Sequence, residues 1–525
     1  MKHTKKNKAL RRSIIVLCSF FLSPLTSLAQ AGSLDLSFDT DGIVTTAVGV
    51  SNDFGFPVVI QSDGKIVQGG ASNNGTSNDF TLLRYNTDGS LDITFDTDGI
   101  VTTSLGTGGD LVYALAIQSD GKIIAAGYST SPNYTDFALV RYHTNGSIDS
   151  SFHFDGKVKT SVGDVDEGRS LAIQSDGKII LAGVSHIGAN KDFCLLRYNT
   201  NGNLDSTFDS DGIVTTTFGA GHEIAYSVAI QTDGKIVVAG SAVIAPNTLF
   251  AIARYNIDGS LDNTFDTDGK VTTNAGLYQD AAHSVVIQSD GKIVVAGGSA
   301  NGANDDIVLA RYNTDGSLDN TFDMDGLVTT SIGPDEEQGW AVALQTDGKI
   351  VVVGQHTNNA TSDDFAVVRY NANGSLDNTF DNDGIVTTPL QYENYGYGVA
   401  IQNDGKIVLS GISWILNNDQ DFAIARYNNS GAVDIFKTNK QITELKVYPN
   451  PFSASTSLHT SNTFSGVNLT VYNIFGQAVK QISNIEIGAG HSITLHRDNL
   501  PGGFYFVQLT QNSKVISGNK LVIID

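Results

Sequence analysis

Short apolar runs rich in valine, isoleucine and threonine recur along the chain, and polar turn residues bound each run. One unit reads Asp268-Gly-Lys-Val-Thr-Thr, a loop, Ser284-Val-Val-Ile-Gln, Ser-Asp-Gly, Lys292-Ile-Val-Val-Ala-Gly, a variable loop and Ile307-Val-Leu-Ala-Arg-Tyr. β-Branched runs of this length predict strands, and the Asp-Gly between the second and third runs predicts a hairpin. The unit therefore predicts four short antiparallel strands.

This unit is repeated seven times between residues 34 and 436. The Asp-Gly-Lys tripeptide recurs with its aspartate at positions 63, 120, 176, 233, 290, 347 and 404, a spacing of 56 or 57 residues. Seven four-stranded units without helical periodicity predict an all-β fold, a seven-bladed β-propeller of four-stranded blades. A β-solenoid is the alternative, but its coils are usually shorter and it needs capping repeats, which the sequence lacks.

The two ends of the repeat region predict how the ring closes. The pattern begins with Asp41-Gly-Ile-Val-Thr-Thr, whereas the last Arg426-Tyr427 is followed only by Ala432-Val-Asp-Ile-Phe436, with no Val-Thr-Thr after it. We therefore expect Val-Thr-Thr to be the outermost strand of every blade. The N-terminal copy then completes the last blade and leaves no strand edge free at the seam.

Three motifs, Leu-Asp-x-Thr-Phe, Asp-Gly-Lys-Ile and Arg-Tyr-Asn, recur in this order through residues 34–436. They resemble the delta-60 repeat family of secreted bacterial proteins, a predicted β-propeller without assigned chemistry. The resemblance implies the fold and leaves the function open.

Residues 443–525 do not follow the sequence pattern of the repeats, and residues 437–442 are expected to form a polar linker before them. Strand-like runs alternating with Gly/Asn turns predict a small C-terminal β-sandwich. Val447-Tyr-Pro-Asn-Pro-Phe452, Leu469-Thr-Val-Tyr-Asn-Ile-Phe-Gly476 and Lys520-Leu-Val-Ile-Ile524 resemble the C-terminal sorting domain of the type IX secretion system of Bacteroidota. The resemblance implies the secretion machinery as a partner. It also implies removal of the domain after export, with the product released or anchored to surface lipopolysaccharide.

Residues 1–29 have the three parts of a secretory signal: basic residues, the apolar run Ile14–Leu28, and a small-x-small site that predicts cleavage between Ala29 and Gln30. No later stretch approaches about 18 uninterrupted apolar residues, which predicts no transmembrane segment. Cys194 is then the only mature thiol, so no intrachain disulfide forms. We expect a secreted protein, extracellular or on the outer-membrane surface of a Gram-negative bacterium.

Charge narrows the range of partners. The chain carries 32 basic and 55 acidic residues, a net charge of −23, and six of the basic residues lie in the first twelve positions. Once the signal is removed, 26 basic residues against 55 acidic ones leave −29. A surface this acidic argues against nucleic acid and against anionic membranes as partners.

Residues that recur in every blade are structural candidates, because a single active site would break the sevenfold symmetry. Strand alternation places the arginine of Arg-Tyr, such as Arg369, on an apolar face, where it needs a repeated aspartate as acceptor. The long turn Asn313-x-Asp315-Gly-x-x-Asp319 spaces oxygen ligands as some calcium loops do. Calcium is the one cofactor considered, although Asn-Gly and Asp-Gly explain the turn without a metal. Its ligands would include Asp258, Asp262, Asp315 and Asp319.

The residues around the start of the innermost strand differ from blade to blade. Eight positions before the repeated Gln stands an acidic series: Asp53, Asp110, Asp166, Glu223, Asp280, Glu337 and Asn394. Five positions before it stands a mostly aromatic series: Phe56, Tyr113, Arg169, Tyr226, His283, Trp340 and Tyr397. If this strand lines the channel, the two rings suit carbohydrate or cation binding. The alternative is that the aromatics wedge between blades and the acids are solvated.

The seventh blade is the most distinctive, with three tyrosines close together and a tryptophan nearby. The ligand-binding candidates are Trp340, Tyr397, Tyr392, Tyr395, Trp414, Asp280 and Glu337.

Catalytic signatures are absent from the sequence. There is no phosphate-binding glycine loop, no His-Glu-x-x-His, no cysteine pair and no Gly-x-Ser-x-Gly elbow. We therefore expect a cell-surface-associated binding or adhesion module for an extracellular glycan or protein. The alternatives are a propeller enzyme, a glycosidase or lyase acting on extracellular polysaccharide, and a structural surface protein. An enzyme should concentrate carboxylates in one or two blades, whereas here they are spread around the ring.

Overall fold

The structure is a computed structural model. It describes residues 30–524 except 303, 359–361, 391, 415–418, 430–444, 461–462, 474–477, 489–491 and 512–513. The predicted signal sequence 1–29, with Ala29 at its predicted cleavage site, and the predicted linker 437–442 lie outside the described residues. The chain divides into two compact units, Met1–Gly431 and Ala432–Asp525.

The first unit contains seven four-stranded antiparallel sheets, each of which is one blade, as predicted. Blade 1 consists of β2 (Asp53–Ile60), β3 (Ile66–Asn73), β4 (Asn78–Tyr85) and β5 (Ile100–Thr103). Blade 2 consists of β6 (Asp110–Ile117), β7 (Ile123–Thr130), β8 (Thr135–Tyr142) and β9 (Lys157–Thr160). Blade 3 consists of β10 (Asp166–Ile173), β11 (Ile179–Ile187), β12 (Asn190–Tyr198) and β13 (Ile213–Thr216). Blade 4 consists of β14 (Glu223–Ile230), β15 (Ile236–Ile244), β16 (Asn247–Tyr255) and β17 (Lys270–Thr273). Blade 5 consists of β18 (Asp280–Ile287), β19 (Ile293–Ala300), β20 (Asp305–Tyr312) and β21 (Leu327–Thr330). Blade 6 consists of β22 (Glu337–Leu344), β23 (Ile350–Asn358), β24 (Ser362–Tyr370) and β25 (Ile385–Thr388). Blade 7 consists of β26 (Asn394–Ile401), β27 (Ile407–Trp414), β28 (Gln420–Tyr427) and β1 (Ile43–Thr46).

The N-terminal segment closes the ring in blade 7. β1 pairs with β28, with Ile43 opposite Ala425. The same segment supplies the acceptor for Arg426, whose Nε donates to Asp35 Oδ2 over 2.8 Å. The carbonyl of Ala31 accepts the N–H of a residue in blade 6 over 2.9 Å. The two predictions, that Val-Thr-Thr is the outermost strand and that its N-terminal copy completes the last blade, are confirmed.

The blades pack face to face, so their middle strands are buried on both sides. Seven of the eight residues of β19 are buried. Ile180 and Phe193 of blade 3 share one core cluster with Val238 and Ala251 of blade 4. Strands covered on both faces read as continuous apolar runs, which explains Ile-Val-Val-Ala-Gly in place of strict alternation.

Two repeated side chains on the third strand tie each blade to both neighbours. Arg311 Nε donates to Asp319 Oδ2 over 2.7 Å, and its Nη1 donates to the carbonyl of Ala372 in blade 6 over 2.5 Å. The adjacent Tyr312 hydroxyl lies 2.8 Å from Thr273 Oγ1 in blade 4. Equivalent contacts recur at other junctions. The predicted aspartate acceptor for the buried arginine is confirmed.

The second unit contains two sheets, as predicted for a β-sandwich. One has the order β29 (Leu445–Tyr448), β30 (Ser455–Thr460), β33 (Ile493–His496), and the other the order β32 (Ala478–Ile487), β31 (Phe464–Asn473), β34 (Gly503–Gln511), β35 (Lys514–Ile523). Leu458 and Leu495 of the first sheet share a core with Leu469 and Val507 of the second. Within the described ranges, no helix is long and apolar enough to cross a membrane.

Candidate functional site

The first strand of every blade borders the central channel and carries a β-bulge at the same repeat position. In β10, Gly168 lies opposite Gly183 and Ser170 lies opposite Ala182, so Arg169 is an extra residue without a partner. A bulge re-aims a side chain, and here the extra residue faces the channel. The other bulges fall at Phe56 and Pro57 together, and at Tyr113, Tyr226, His283, Trp340 and Tyr397.

A repeated glycine on the second strand makes room for each bulge. A Cβ on Gly183 would lie 1.9 Å from the backbone oxygen of Glu167, and one on Gly354 would lie 1.7 Å from that of Gln338. Side chains do not tolerate such distances. The glycine at the fifth residue of the second strand of every blade is therefore the sequence signal for the bulge, and a simple alternation rule overlooks it.

Seven side chains at the bulge positions form a closed ring around the channel. We call it the aromatic collar: Phe56, Tyr113, Arg169, Tyr226, His283, Trp340 and Tyr397. The ring centroids of neighbouring aromatic members are 4.2 to 5.4 Å apart. Arg169 completes the ring, with its guanidinium carbon 4.5 Å from the Tyr113 centroid and 5.9 Å from that of Tyr226. The aromatic series therefore faces the channel and also contacts the neighbouring blades.

The collar borders a cavity of about 410 Å³. Its wall also contains Ser170, Ser227 and Ser284, and small or apolar residues of the inner strands of blades 1, 2, 3, 6 and 7. Volumes of about 300 to 1,000 Å³, with aromatic walls and a few placed polar groups, are typical of sites for small molecules. The cavity can therefore hold a small ligand on the axis of the ring.

The cavity wall carries one charged side chain among the described residues, Arg169. His283 is neutral, because burial lowers its pKa to about 4. Its Nδ1 lies 3.0 Å from the carbonyl oxygen of Gly339 and donates to it. The Arg169 Nη2 donates to Glu167, while its Nε is buried without a partner.

The acidic series does not line the cavity, which corrects the expectation for Asp280 and Glu337. Asp280 is 1% exposed and Glu337 is 0% exposed. Asp280 accepts the N–H of Ala275 over 2.8 Å and the O–H of Ser299 over 2.5 Å. Glu337 accepts the N–H of Gly333 over 3.1 Å. Tight loops before the inner strands leave N–H groups that need acceptors, so the acids are neither ligands of the channel nor solvated.

The other blade 7 candidates lie beside the collar or away from it. The Tyr395 ring stacks on Tyr397, with centroids 6.1 Å apart and planes inclined by 17°. Tyr392, in the preceding loop, is 39% exposed. Trp414 ends β27 and is not part of the cavity wall. The structure therefore brings Trp340 and Tyr397 together, with Tyr395 behind them.

The calcium candidates in the long turns have partners within the protein. Asp319 accepts from Arg311 and Lys292, and Asp315 accepts from the N–H and O–H of the serine two residues on. Asp262 and Asp258 make the equivalent contacts in blade 4. In the described part of the chain, no three His, Cys, Asp or Glu side chains are grouped as a metal site. Calcium at these turns stays a prediction.

Two family models match the chain. One, described as "Domain of unknown function (DUF5122) beta-propeller", matches seven times, at residues 61–95, 118–152, 174–208, 231–265, 288–322, 345–380 and 402–434. The other, "Secretion system C-terminal sorting domain", matches residues 446–524. A search among curated proteins finds no match.

Solved structures with a similar fold have low sequence identity to the chain. A virginiamycin B lyase from Staphylococcus aureus crystallised with quinupristin has 11% identity and a TM-score of 0.43, covering 73% of this chain and 98% of its own. The polysaccharide lyase Uly1 has 11% identity and a TM-score of 0.44, with coverages of 71% and 90%. Sqt1 from Chaetomium thermophilum has 13% identity and a TM-score of 0.43, with coverages of 74% and 99%. These similarities concern the fold alone.

Proposed function

Since the chain belongs to the DUF5122 β-propeller family and ends in a type IX secretion sorting domain, we propose that it is an exported binding protein whose collar holds a sugar unit of an extracellular glycan. The sorting domain interacts with the secretion machinery and directs export to the cell surface or the extracellular space of a Gram-negative bacterium. The propeller then carries the binding function.

The observation that carries this proposal is variation at one position of an otherwise constant repeat. Asp-Gly-Lys and Arg-Tyr are the same in all seven blades, whereas the collar position holds five different residue types. A ring of identical side chains would present the same surface in seven orientations. A ligand without sevenfold symmetry needs distinct groups around the axis, and the collar supplies them.

The chemistry of the wall favours a sugar over a cation. Aromatic rings bind the apolar faces of sugars, and scattered polar groups orient the hydroxyls. A cation would also be attracted to such rings, but it would meet the fixed positive charge of Arg169. The acidic series expected beside the collar is buried elsewhere, and Glu167 neutralises only part of that charge.

A glycan array followed by calorimetric titration tests the proposal. Trp340→Ala should markedly weaken binding of the glycans that the wild-type protein retains, because it removes the largest ring of the collar. Trp414→Ala is the matched control, since it removes the same residue type from outside the cavity wall, and it should bind as wild type does. Thermal melts of both variants separate lost binding from lost folding. Retention of no glycan by the wild-type protein, or normal binding by Trp340→Ala, would reject the proposal.

An enzyme acting on polysaccharide is the second candidate, and His283 favours it. With Nδ1 donating to Gly339, the neutral imidazole has Nε2 left to accept a proton from a bound substrate. The carboxylate pair of a glycosidase is missing from the cavity wall in the described residues, so a lyase fits better. Incubation with acidic polysaccharides should then release unsaturated products, and His283→Gln should stop their release. Intact polymers in every digest would reject catalysis.

A further inference from the structure

The collar is polar on one side, and we infer that this side binds a carboxylate of the ligand, so that the sugar unit is a uronic acid. This inference rests on the proposed function of the collar. The polar side, which we call the donor sector, consists of Arg169, Ser170, Ser227 and Ser284 in blades 3 to 5. It deepens the proposed function by naming the substrate class.

Arg169 has unused donor capacity within the cavity wall. A guanidinium carries five N–H groups in a planar fork, and the described contacts satisfy only Nη2, which donates to Glu167. The side chain is 25% exposed, and its guanidinium carbon lies over two tyrosine rings. A fixed fork with free N–H groups matches the two oxygens of a carboxylate.

Three serine hydroxyls extend the same side of the wall. Each Oγ accepts a backbone N–H from the next blade: that of Val228 over 3.2 Å, and those of Val285 and Val342 over 3.1 Å each. An oxygen that accepts this bond still has its own O–H to donate. The donor sector therefore offers hydroxyl donors beside the guanidinium, and no carboxylate belongs to the cavity wall among the described residues.

The opposite side of the wall is apolar. At the position of these serines, the other four blades carry Pro57, Ala114, Ala341 and Gly398. The collar members of blades 6, 7 and 1 are Trp340, Tyr397 and Phe56, whose rings contact one another. A sugar ring that rests on these faces presents its opposite edge to the donor sector.

The charge balance favours a single acidic group over a polyanion site. The mature chain has a net charge of −29, which repels polyanions at long range. One guanidinium, partly neutralised by Glu167, suits one carboxylate. A sulfate ester shares the same acceptor chemistry, so the sulfated sugars are included in the test to distinguish the two acids.

Calorimetric titration with matched sugars tests this inference on the full mature chain. The probes are the methyl glycosides of glucuronic, galacturonic and mannuronic acid, each paired with its neutral parent and its 6-sulfate. In at least one set, the wild-type protein should bind the acid about tenfold or more tightly than the neutral sugar, the factor that one hydrogen bond to a charged group supplies. Arg169→Gln should remove this preference, so that the acid and the neutral sugar of a set bind with equal affinity. Glu167→Gln should increase it, because the guanidinium loses its competing partner.

Trp340→Ala is the control, since it should weaken the binding of the acid and the binding of the neutral sugar by the same factor. Thermal melts check that each variant is folded. Equal affinities within every set, a preference that survives Arg169→Gln, or tighter binding of the sulfate would overturn the uronic acid assignment. Neutral glycans retained on the array without any acid preference would overturn this inference alone, whereas an array without any bound glycan would overturn the proposed function as well.

Discussion

Replacing Arg311 by methionine tests whether the repeated arginine holds neighbouring blades together. Methionine fills much of the same space but donates no hydrogen bond. The change removes the 2.7 Å bond to Asp319 and the 2.5 Å bond to the Ala372 carbonyl of the next blade. It also removes the guanidinium that lies 4.5 Å from the centroid of Phe322. Asp319 remains 2% exposed but keeps Lys292 at 2.8 Å, so its charge retains one partner.

These contacts set the expected size of the effect. Removing one partner of a buried ion pair usually costs about 3–5 kcal/mol. The Ala372 carbonyl belongs to an exposed residue, so water can replace the lost donor there and this loss adds little. The remaining Lys292 offsets part of the first cost. We therefore expect Arg311→Met to lower the free energy of unfolding by about 3 kcal/mol.

Urea unfolding followed by tryptophan fluorescence measures this loss. Lys292→Met is the matched control: it removes a cation from the same aspartate, but the lysine is 27% exposed and should contribute less than about 1 kcal/mol. A double-mutant cycle with Asp319→Asn should give a coupling energy of about 1 kcal/mol or more between Arg311 and Asp319. An Arg311→Met protein no less stable than Lys292→Met would refute the argument that this arginine joins two blades.

Three further predictions concern the seam, the buried acids and export. Deleting residues 30–46 removes β1 and the Asp35 partner of Arg426, so the propeller should unfold at a markedly lower temperature in a calorimetric scan; an unchanged transition would contradict the closure. Burial raises the pKa of Asp53 to about 6, above its unfolded value near 4, so this group binds more proton in the folded state between these values and its ionisation alone should lower stability by about 2 kcal/mol from about pH 4.5 to 7.5. Asp53→Asn should remove this share of the pH dependence in urea melts, and an equal slope in both proteins would contradict the prediction. Deleting residues 443–525 should leave a folded propeller in the periplasm, and cell fractionation that found it at the surface would remove the export role of the C-terminal unit.

The strand pattern could be predicted from the sequence because pairing in this fold is local. Each Asp-Gly hairpin joins strands that are neighbours in the chain, and each Val-Thr-Thr follows the strand that it pairs with, except at the seam. There, the missing last copy revealed the role of Ile43–Thr46. The collar positions could also be predicted from the sequence, because the residue five positions before the repeated Gln has the same structural position in every blade.

The environment of the acids could not be predicted in the same way. A rule that assigns alternate residues to alternate faces assumes one partner per residue, and the bulge at positions such as His283 breaks that assumption. Asp280 and Glu337 also accept backbone N–H groups from loops whose shape the sequence pattern does not specify. Their burial therefore depends on three-dimensional packing that no spacing rule contains.

The closure in blade 7 has a mechanical consequence. The chain leaves the propeller after β28, which is hydrogen-bonded to β27 on one side and to β1 on the other. Tension applied through the chain that follows β28, while a glycan is held in the channel, would enter the ring at this strand. An edge strand would peel away one bond at a time, whereas β28 must slide against two ladders whose bonds share the load. Because the far end of the chain provides the second ladder, the propeller should resist unravelling from the point where the pull arrives.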